Sequence, residues 1–178
     1  MIHSEEFVVK SPSETSAEVI QLFVQMILSG GAIDDNSANI ETRVKKCASL
    51  IYKLQSGIIV GIAALKVPAR SYRNRIGQKT GYDISESLYP FELGYVVVEA
   101  SARKQGLSQQ LVEAAIRQAI PEGLFATTSC PAMRSVLPRF AFKKVGNDYE
   151  GADKNMLSLY VRDTTETISQ KKGPIARA

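Results

Sequence analysis

Tryptophan is missing from this chain of 178 residues, histidine occurs once, and cysteine only twice, at Cys47 and Cys130. Two cysteines so far apart form neither the close-spaced pairs of a zinc site nor a disulfide framework, so a reduced, cytoplasmic protein with no metal is expected. His3, beside the N-terminus, is no candidate for acid–base work. No apolar run approaches the roughly 20 residues that cross a bilayer. The opening MIHSEEFVVK lacks the basic start and apolar stretch of a secretory leader. Neither the three-glycine dinucleotide fingerprint nor the Gly-rich loop ending in Gly-Lys-Ser/Thr is present. Neither charge sign dominates: 22 Lys and Arg stand against 18 Asp and Glu, a net charge of +4. That balance suits an anionic ligand, yet an ordinary solvated surface carries as much.

What is present reads as one compact α/β (α+β) domain over residues 1–163, followed by a polar, basic tail over 164–178. Apolar residues make up 44% of the chain, enough for a substantial core. Phe7 to Val9 predicts a first strand. Ser11-Pro12-Ser13-Glu14 predicts a capped helix start whose buried face is Val19, Ile20, Phe23, Val24 and Ile27, stopped at Gly30-Gly31. Gly31 to Asn39 reads as a polar loop, with a short helix from Ile40. Ala48 to Leu54 and Ile58 to Val67 read as two strands joined by a tight turn at Gln55-Ser56-Gly57. Lys143 to Tyr149 and Met156 to Val161 form a predicted antiparallel pair. The intervening connection from Pro68 to Pro90 is long for two neighbouring strands. It carries Arg70, Arg73, Arg75 and Lys79 beside Tyr72 and Tyr82, which is either a solvated helix or a docking surface.

The richest stretch is FELGYVVVEASARKQGLSQQLVEAAIRQAI, Phe91 to Ile120. Its β-branched and aromatic residues from Tyr95 to Val98 predict a strand. Leu107, Leu111, Ala115 and Ala119 recur four apart, with Val112, Ile116 and Ile120 beside them, and predict an amphipathic helix. Pro121 and Gly123 end it. Between strand and helix stand Arg103, Lys104, Gln105, Gly106, Leu107 and Ser108. Backbone N–H groups at a helix start, next to Arg and Lys, form a device for holding a diphosphate.

Arg103-x-x-Gly106-x-Ser108 after Val98 resembles the pyrophosphate loop of the GNAT superfamily, the CoA-dependent N-acetyltransferases, whose pattern is Arg/Gln-x-x-Gly-x-Gly/Ala. Ser108 is a mild departure at the last position. Downstream, ATTSCPAMRSVLPRFAFKKVGNDYE is similar to the same region of a group of bacterial and phage members, with Ala141-Phe142 where the family usually has Gly-Phe. The resemblance covers roughly residues 7–161. It implies a mostly antiparallel sheet of about six to seven strands flanked by about four helices. It also implies acetyl-CoA as cosubstrate, held at Arg103 to Ser108, with the backbone N–H groups near Val96 to Val98 polarising the thioester oxygen.

The implied reaction is direct acetyl transfer to a primary amine, on a small molecule or a peptide. An amine of pKa about 10.4 is neutral in only about one molecule in 2,500 at pH 7, so a base is useful. The resemblance puts a strand carboxylate at Glu92, with Glu99 a weaker rival. The family's tyrosine acid falls at Leu137 and its asparagine at Pro131, and both functions are lost there. Pro138 is expected to bend the same helix. Ser129, Cys130, Tyr149 and Tyr160 are the substitutes, although a thiol of pKa about 8.5 can leave unaided. Cys130 as an acyl carrier is the weaker idea; a buried apolar role suits it better. Two other classes stay open: a CoA-binding module with weakened turnover, and a toxin-like enzyme acting on charged tRNA, which Leu137 argues against. Membranes are not expected as partners, nor are nucleic acids; a homodimer stays open.

Overall fold

The computed structural model describes residues 6–31 and 35–164. His3, part of the polar loop, and all but the first residue of the predicted tail lie outside the described residues. Seven strands are present: β1 (Glu6–Lys10), β2 (Ser49–Gln55), β3 (Ile58–Lys66), β4 (Phe91–Val98), β5 (Leu124–Thr128), β6 (Lys143–Glu150) and β7 (Met156–Arg162). They form one sheet in the order β1-β2-β3-β4-β5-β7-β6, in which β4 and β5 are parallel and all other neighbours antiparallel. Five α-helices accompany it: α1 (Ala17–Ser29), α2 (Ser37–Lys45), α3 (Arg70–Thr80), α4 (Leu107–Ala119) and α5 (Pro131–Val136). The helix beyond the four expected is α3, which occupies the long connection between β3 and β4.

Two helix starts differ from the sequence reading. Ser11 and Glu14 do make contact, the Ser11 N–H and hydroxyl both donating to Glu14 Oε2 at 3.1 and 2.6 Å. These close only a 3-10 turn, Pro12–Glu14; α1 begins at Ala17, capped by Ser16. Ser16 directly adjoins the apolar stripe of Ile20, Phe23, Val24 and Ile27, and burial of that stripe selects between the two tandem caps. Likewise α2 starts at Ser37 rather than Ile40, because Asn36 Oδ1 accepts the Asn39 N–H at 2.9 Å and turns the end of the polar loop into a first helical turn.

The sheet is covered on both faces. One face packs α4, α5 and the turn after α5, through Leu107, Leu111, Val112, Ile116, Val136 and Leu137, against Ile51, Leu65, Leu93, Leu124 and Tyr160. The other face carries two separate clusters. Helices α1 and α2 cover β1 to β4 through Phe23, Ile27, Ile40 and Val44 on Leu50, Tyr52, Ile62 and Ala64. Helix α3 covers β5, β7 and β6 through Ile76 on Phe125, Leu159 and Val161. Burial of each large apolar side chain contributes roughly 1.5–3 kcal/mol. Between these two clusters, at the middle of the sheet, the residues are polar.

Arg73 fixes α3 in place. It is 4% exposed and donates to the carbonyls of Pro68 (3.4 Å), Tyr89 (2.8 Å) and Pro90 (2.8 Å), tying the two ends of the connection together over the Phe125 ring. Its inclusion among basic residues available to a ligand is therefore corrected: a buried guanidinium satisfied by three carbonyls is a clamp.

Candidate active site

The loop between β4 and α4 carries the chain from the strand to an exposed helix start. A 3-10 turn, Ala100–Ala102, leads into Arg103, whose Nε donates to the Val98 carbonyl at 3.2 Å. Lys104 and Gly106 both take positive φ, 63° and 74°, and Gly106 caps α4. Buried Leu107 anchors the helix start, while Lys104, Gln105 and Gly106 are exposed. Among the described residues the N–H groups of Gln105, Gly106, Leu107 and Ser108 have no acceptor, as the first turn of a helix requires. A Cβ at Gly106 would meet nothing within 4 Å. These donors therefore face open space at the positive end of a helix, beside two cations, and fit a diphosphate.

The strand leading into the loop is bulged. Tyr95 has φ of 54°, and the β3–β4 register slips there, with Ala64 opposite Gly94 but Ile62 opposite Val97. Strict alternation groups Glu92 and Gly94 with Val96, and Leu93 with Tyr95. The bulge corrects that: Leu93, Val96 and Val98 pack on the α4 face, whereas Tyr95 and Val97 join the α1–α2 cluster on the face of Glu92 and Gly94.

The bulge also opens the sheet. β4 pairs with β5 only at Phe91–Leu124 and Glu92–Phe125, and beyond Glu92 the two strands part. Glu99 N–H donates to the Val60 carbonyl on the β3 side at 2.9 Å, so alternation turns the N–H groups of Val98 and Val96 toward the gap. Thus Val96 and Val98 line one wall of an opening that begins at the α4 loop and closes at Glu92.

Glu92 is 2% exposed and lies at the boundary of the two clusters on its face. Its Oε1 accepts from the Tyr72 hydroxyl at 3.0 Å and from the Thr127 hydroxyl at 3.1 Å. Its Oε2 faces the Lys66 ammonium at 2.7 Å; this is an ion pair, not an aligned hydrogen bond. Lys66 sits directly opposite in the β3–β4 register and reaches Glu92 by crossing Gly94, where a Cβ would lie 2.6 Å from Lys66 Cδ. Only glycine leaves room for that crossing. The ammonium is enclosed further by the Tyr95 and Tyr72 rings, 5.2 and 5.7 Å from their centres. Burial is the largest single influence on Lys66 and works against its charge, but Glu92, Tyr72 and Tyr95 together outweigh it and hold the ammonium above its ordinary range. Tyr149, buried in the α3-side cluster, stands near the group; burial raises its pKa, and the Glu92 charge adds to the rise.

Of the residues singled out in the sequence, Glu92, Val96 and Val98 lie on β4, and the Arg103–Ser108 loop follows it to the start of α4. Glu99 stands at the far end of β4, away from the Lys66 ion pair. Leu137 is fully buried against α4, and Pro131 opens α5. Pro138 does not bend a continuous helix: the α-helix ends at Val136 and tightens into a 3-10 turn, Leu137–Phe140. Tyr160 is packed in the α4-side core. Cys130 is exposed, which corrects its expected buried role, while Cys47 is the buried one. Lys66, Tyr72 and Thr127 were missed as site residues. Their only signal was a lysine closing an apolar strand and a tyrosine within a basic connection, and neither discloses a register.

The buried tyrosines make a pH prediction. Burial pushes the Tyr149 hydroxyl up to about 12, and raises Tyr72 and Tyr95 as well. The folded protein keeps protons that the unfolded chain releases from about pH 10. Their stabilisation is therefore present below pH 10 and is lost as pH climbs toward about 12. Denaturant midpoints measured from pH 9 to 12 should fall, and Tyr149→Phe should fall less steeply. Equal slopes would show that Tyr149 contributes nothing to the linkage.

No protein-family model matches the sequence, nor does any curated protein. Solved structures do. An acyl-CoA N-acyltransferase from Pseudomonas aeruginosa superposes with a TM-score of 0.67 at 16% identity, over 89% of this chain and 99% of that one. ElaA from Escherichia coli gives 0.66 at 15%, over 90% and 100%. N-acetylglutamate synthase from Neisseria gonorrhoeae, solved with coenzyme A and L-arginine, gives 0.60 at 16%, over 89% of this chain and 33% of that chain. The fold of this chain is the GNAT fold.

Proposed function

We propose that this chain is a CoA-dependent N-acetyltransferase that moves an acetyl group from acetyl-CoA to a primary amine held in the same complex. The observation that carries the reading is the gap between β4 and β5. It has a diphosphate cradle at its mouth, inward-facing N–H groups along one wall, and a buried carboxylate at its closed end. The names of two structural relatives, an acyl-CoA N-acyltransferase and a synthase solved with coenzyme A, agree with it.

Acetyl-CoA supplies the acyl group as an activated thioester. The amine nitrogen bonds to the carbonyl carbon, the C–S bond breaks, and CoA leaves as a thiolate that takes a proton from solvent. The N–H groups of Gln105 to Ser108, with Arg103 and Lys104, hold its diphosphate. The N–H groups of Val96 and Val98 point where the acyl oxygen gathers charge, and such donors are worth about 2.7–4 kcal/mol in acyl transfer. Glu92 is the general base, but both its oxygens are engaged, so it works through Tyr72. The Tyr72 oxygen takes the amine proton while its own proton passes 3.0 Å to Glu92 Oε1. Tyr72 suits that role because burial raises its pKa and keeps it protonated between turnovers. Lys66 balances the Glu92 charge before transfer.

The rival reading is a CoA-binding module with weakened turnover, and the buried Leu137 favours it, since no acid can act from there. Thiol release from acetyl-CoA in the presence of a panel of primary amines separates the two. Amine-dependent release is expected. Calorimetric binding of acetyl-CoA without release from any amine would support the module instead.

A further inference from the structure

The proposed reaction leaves one built feature unused. Beside Glu92, on the same face of the sheet, a pocket of about 310 Å³ lies between α3 and the β6–β7 hairpin. Its walls include Tyr72, Arg75, Ile76, Lys79, Tyr149 and Leu157. We infer that this pocket is the acceptor site, and that it selects a small amine carrying an anionic group, a carboxylate or a phosphate. The inference rests on the acetyltransferase reading above.

The charge pattern comes first. Arg75 and Lys79 are one helical turn apart on α3, both exposed, and among the described residues neither forms an ion pair. Each is held over a ring instead: Arg75 lies 5.5 Å from the Tyr72 ring centre and Lys79 5.6 Å from that of Tyr149. Lys79 also donates to the Glu150 backbone carbonyl at 2.8 Å, which fixes its position without neutralising it. Of the nearby carboxylates, Asp153 is turned to Asn155, whose side-chain amide donates to it at 2.6 Å, and the Glu150 side chain is exposed. Like charges at this spacing repel, and an anion between them relieves the repulsion while gaining charge-assisted hydrogen bonds.

Polarity comes second. The rings under the two cations belong to Tyr72, whose hydroxyl donates to Glu92, and to Tyr149, which lines the same pocket. A molecule with its anion between Arg75 and Lys79 therefore directs its other end along the tyrosines toward Glu92. Lys66 offsets the Glu92 charge, so the carboxylate at that end does not repel an anionic acceptor. Size comes third. A volume of about 310 Å³ is at the small end for ligand pockets, which suits a compact amine. Ile76 and Leu157 add apolar wall for a short carbon chain.

Calorimetry of the whole protein with matched probes tests this: 4-aminobutyrate against 4-aminobutanamide, and 2-aminoethyl phosphate against ethanolamine. Each anionic probe should bind at least about tenfold more tightly than its neutral match, and the tighter of the two anions identifies the group preferred. Arg75→Ala with Lys79→Ala should erase that preference, while Arg75→Lys with Lys79→Arg should retain most of it. Equal binding within both pairs overturns the pocket assignment. So does a preference that survives the alanine variant. Acetyl-CoA titrated in parallel separates the two levels: if it binds and neutral amines are acetylated as readily as anionic ones, only this inference fails. If acetyl-CoA does not bind, the acetyltransferase reading itself falls.

Discussion

Gly106→Glu should abolish acetyl-CoA binding, with an affinity loss of at least about 100-fold, or about 2.7 kcal/mol. Gly106 has φ of 74° and open space where a Cβ would stand, so the substitution meets no protein atom within 4 Å. Two effects remain. The left-handed backbone costs a residue with a side chain about 1–2 kcal/mol. The new carboxylate then occupies the place where the helix start would hold a diphosphate, and like charge repels like. Gly106→Ala carries only the first effect and should bind with a modest loss. Calorimetric titration of both variants decides the matter. An unchanged dissociation constant for Gly106→Glu would remove the cradle, and with it the main support for a CoA ligand.

Glu92→Gln should lower kcat by about 10²-fold or more while acetyl-CoA affinity stays near that of the unaltered protein. The amide keeps the size and one acceptor oxygen for Tyr72 and Thr127, but it accepts no proton. The deficit should shrink as pH rises toward the amine pKa of about 10.4, because more acceptor then arrives neutral. The structure adds a complication, since the same change strands Lys66. Removing one partner of a buried ion pair costs about 3–5 kcal/mol; Lys66 retains 27% side-chain exposure, so the loss here should be smaller. The double variant Lys66→Met with Glu92→Gln removes the stranded charge and should recover stability but not turnover. Recovery of both would make Glu92 a structural partner of Lys66 and nothing more. Turnover at the original rate in the single variant from pH 6 to 9 would dismiss the base directly.

Local chemistry made much of this molecule legible in advance. The hairpin at Ser56-Gly57 needs two positive φ values, 51° and 78°, and that residue pair supplies them. The four-residue recurrence from Leu107 to Ala119 matches the buried face of α4. The turn and helix start at Arg103 to Ser108 involve consecutive residues, so one short stretch of sequence specifies them. Glu92 was singled out by the resemblance, which puts a strand carboxylate at that position.

Tertiary structure decided what depends on residues distant in the chain. Tandem caps at Ser11 and Ser16 are equivalent locally, and only burial of the α1 stripe against the sheet chooses between them. The slip at Tyr95 reverses which β4 side chains share a face, and no period-two pattern can announce a bulge. The surroundings of Glu92 come from β3, α3 and β5, brought together by register and by the Arg73 clamp. Sequence determined the order of candidate groups along one strand–loop–helix unit, Glu92 to Ser108. Packing determined which of them are buried, because an ion pair such as Lys66–Glu92 exists only once the low-dielectric space between two hydrophobic clusters has formed.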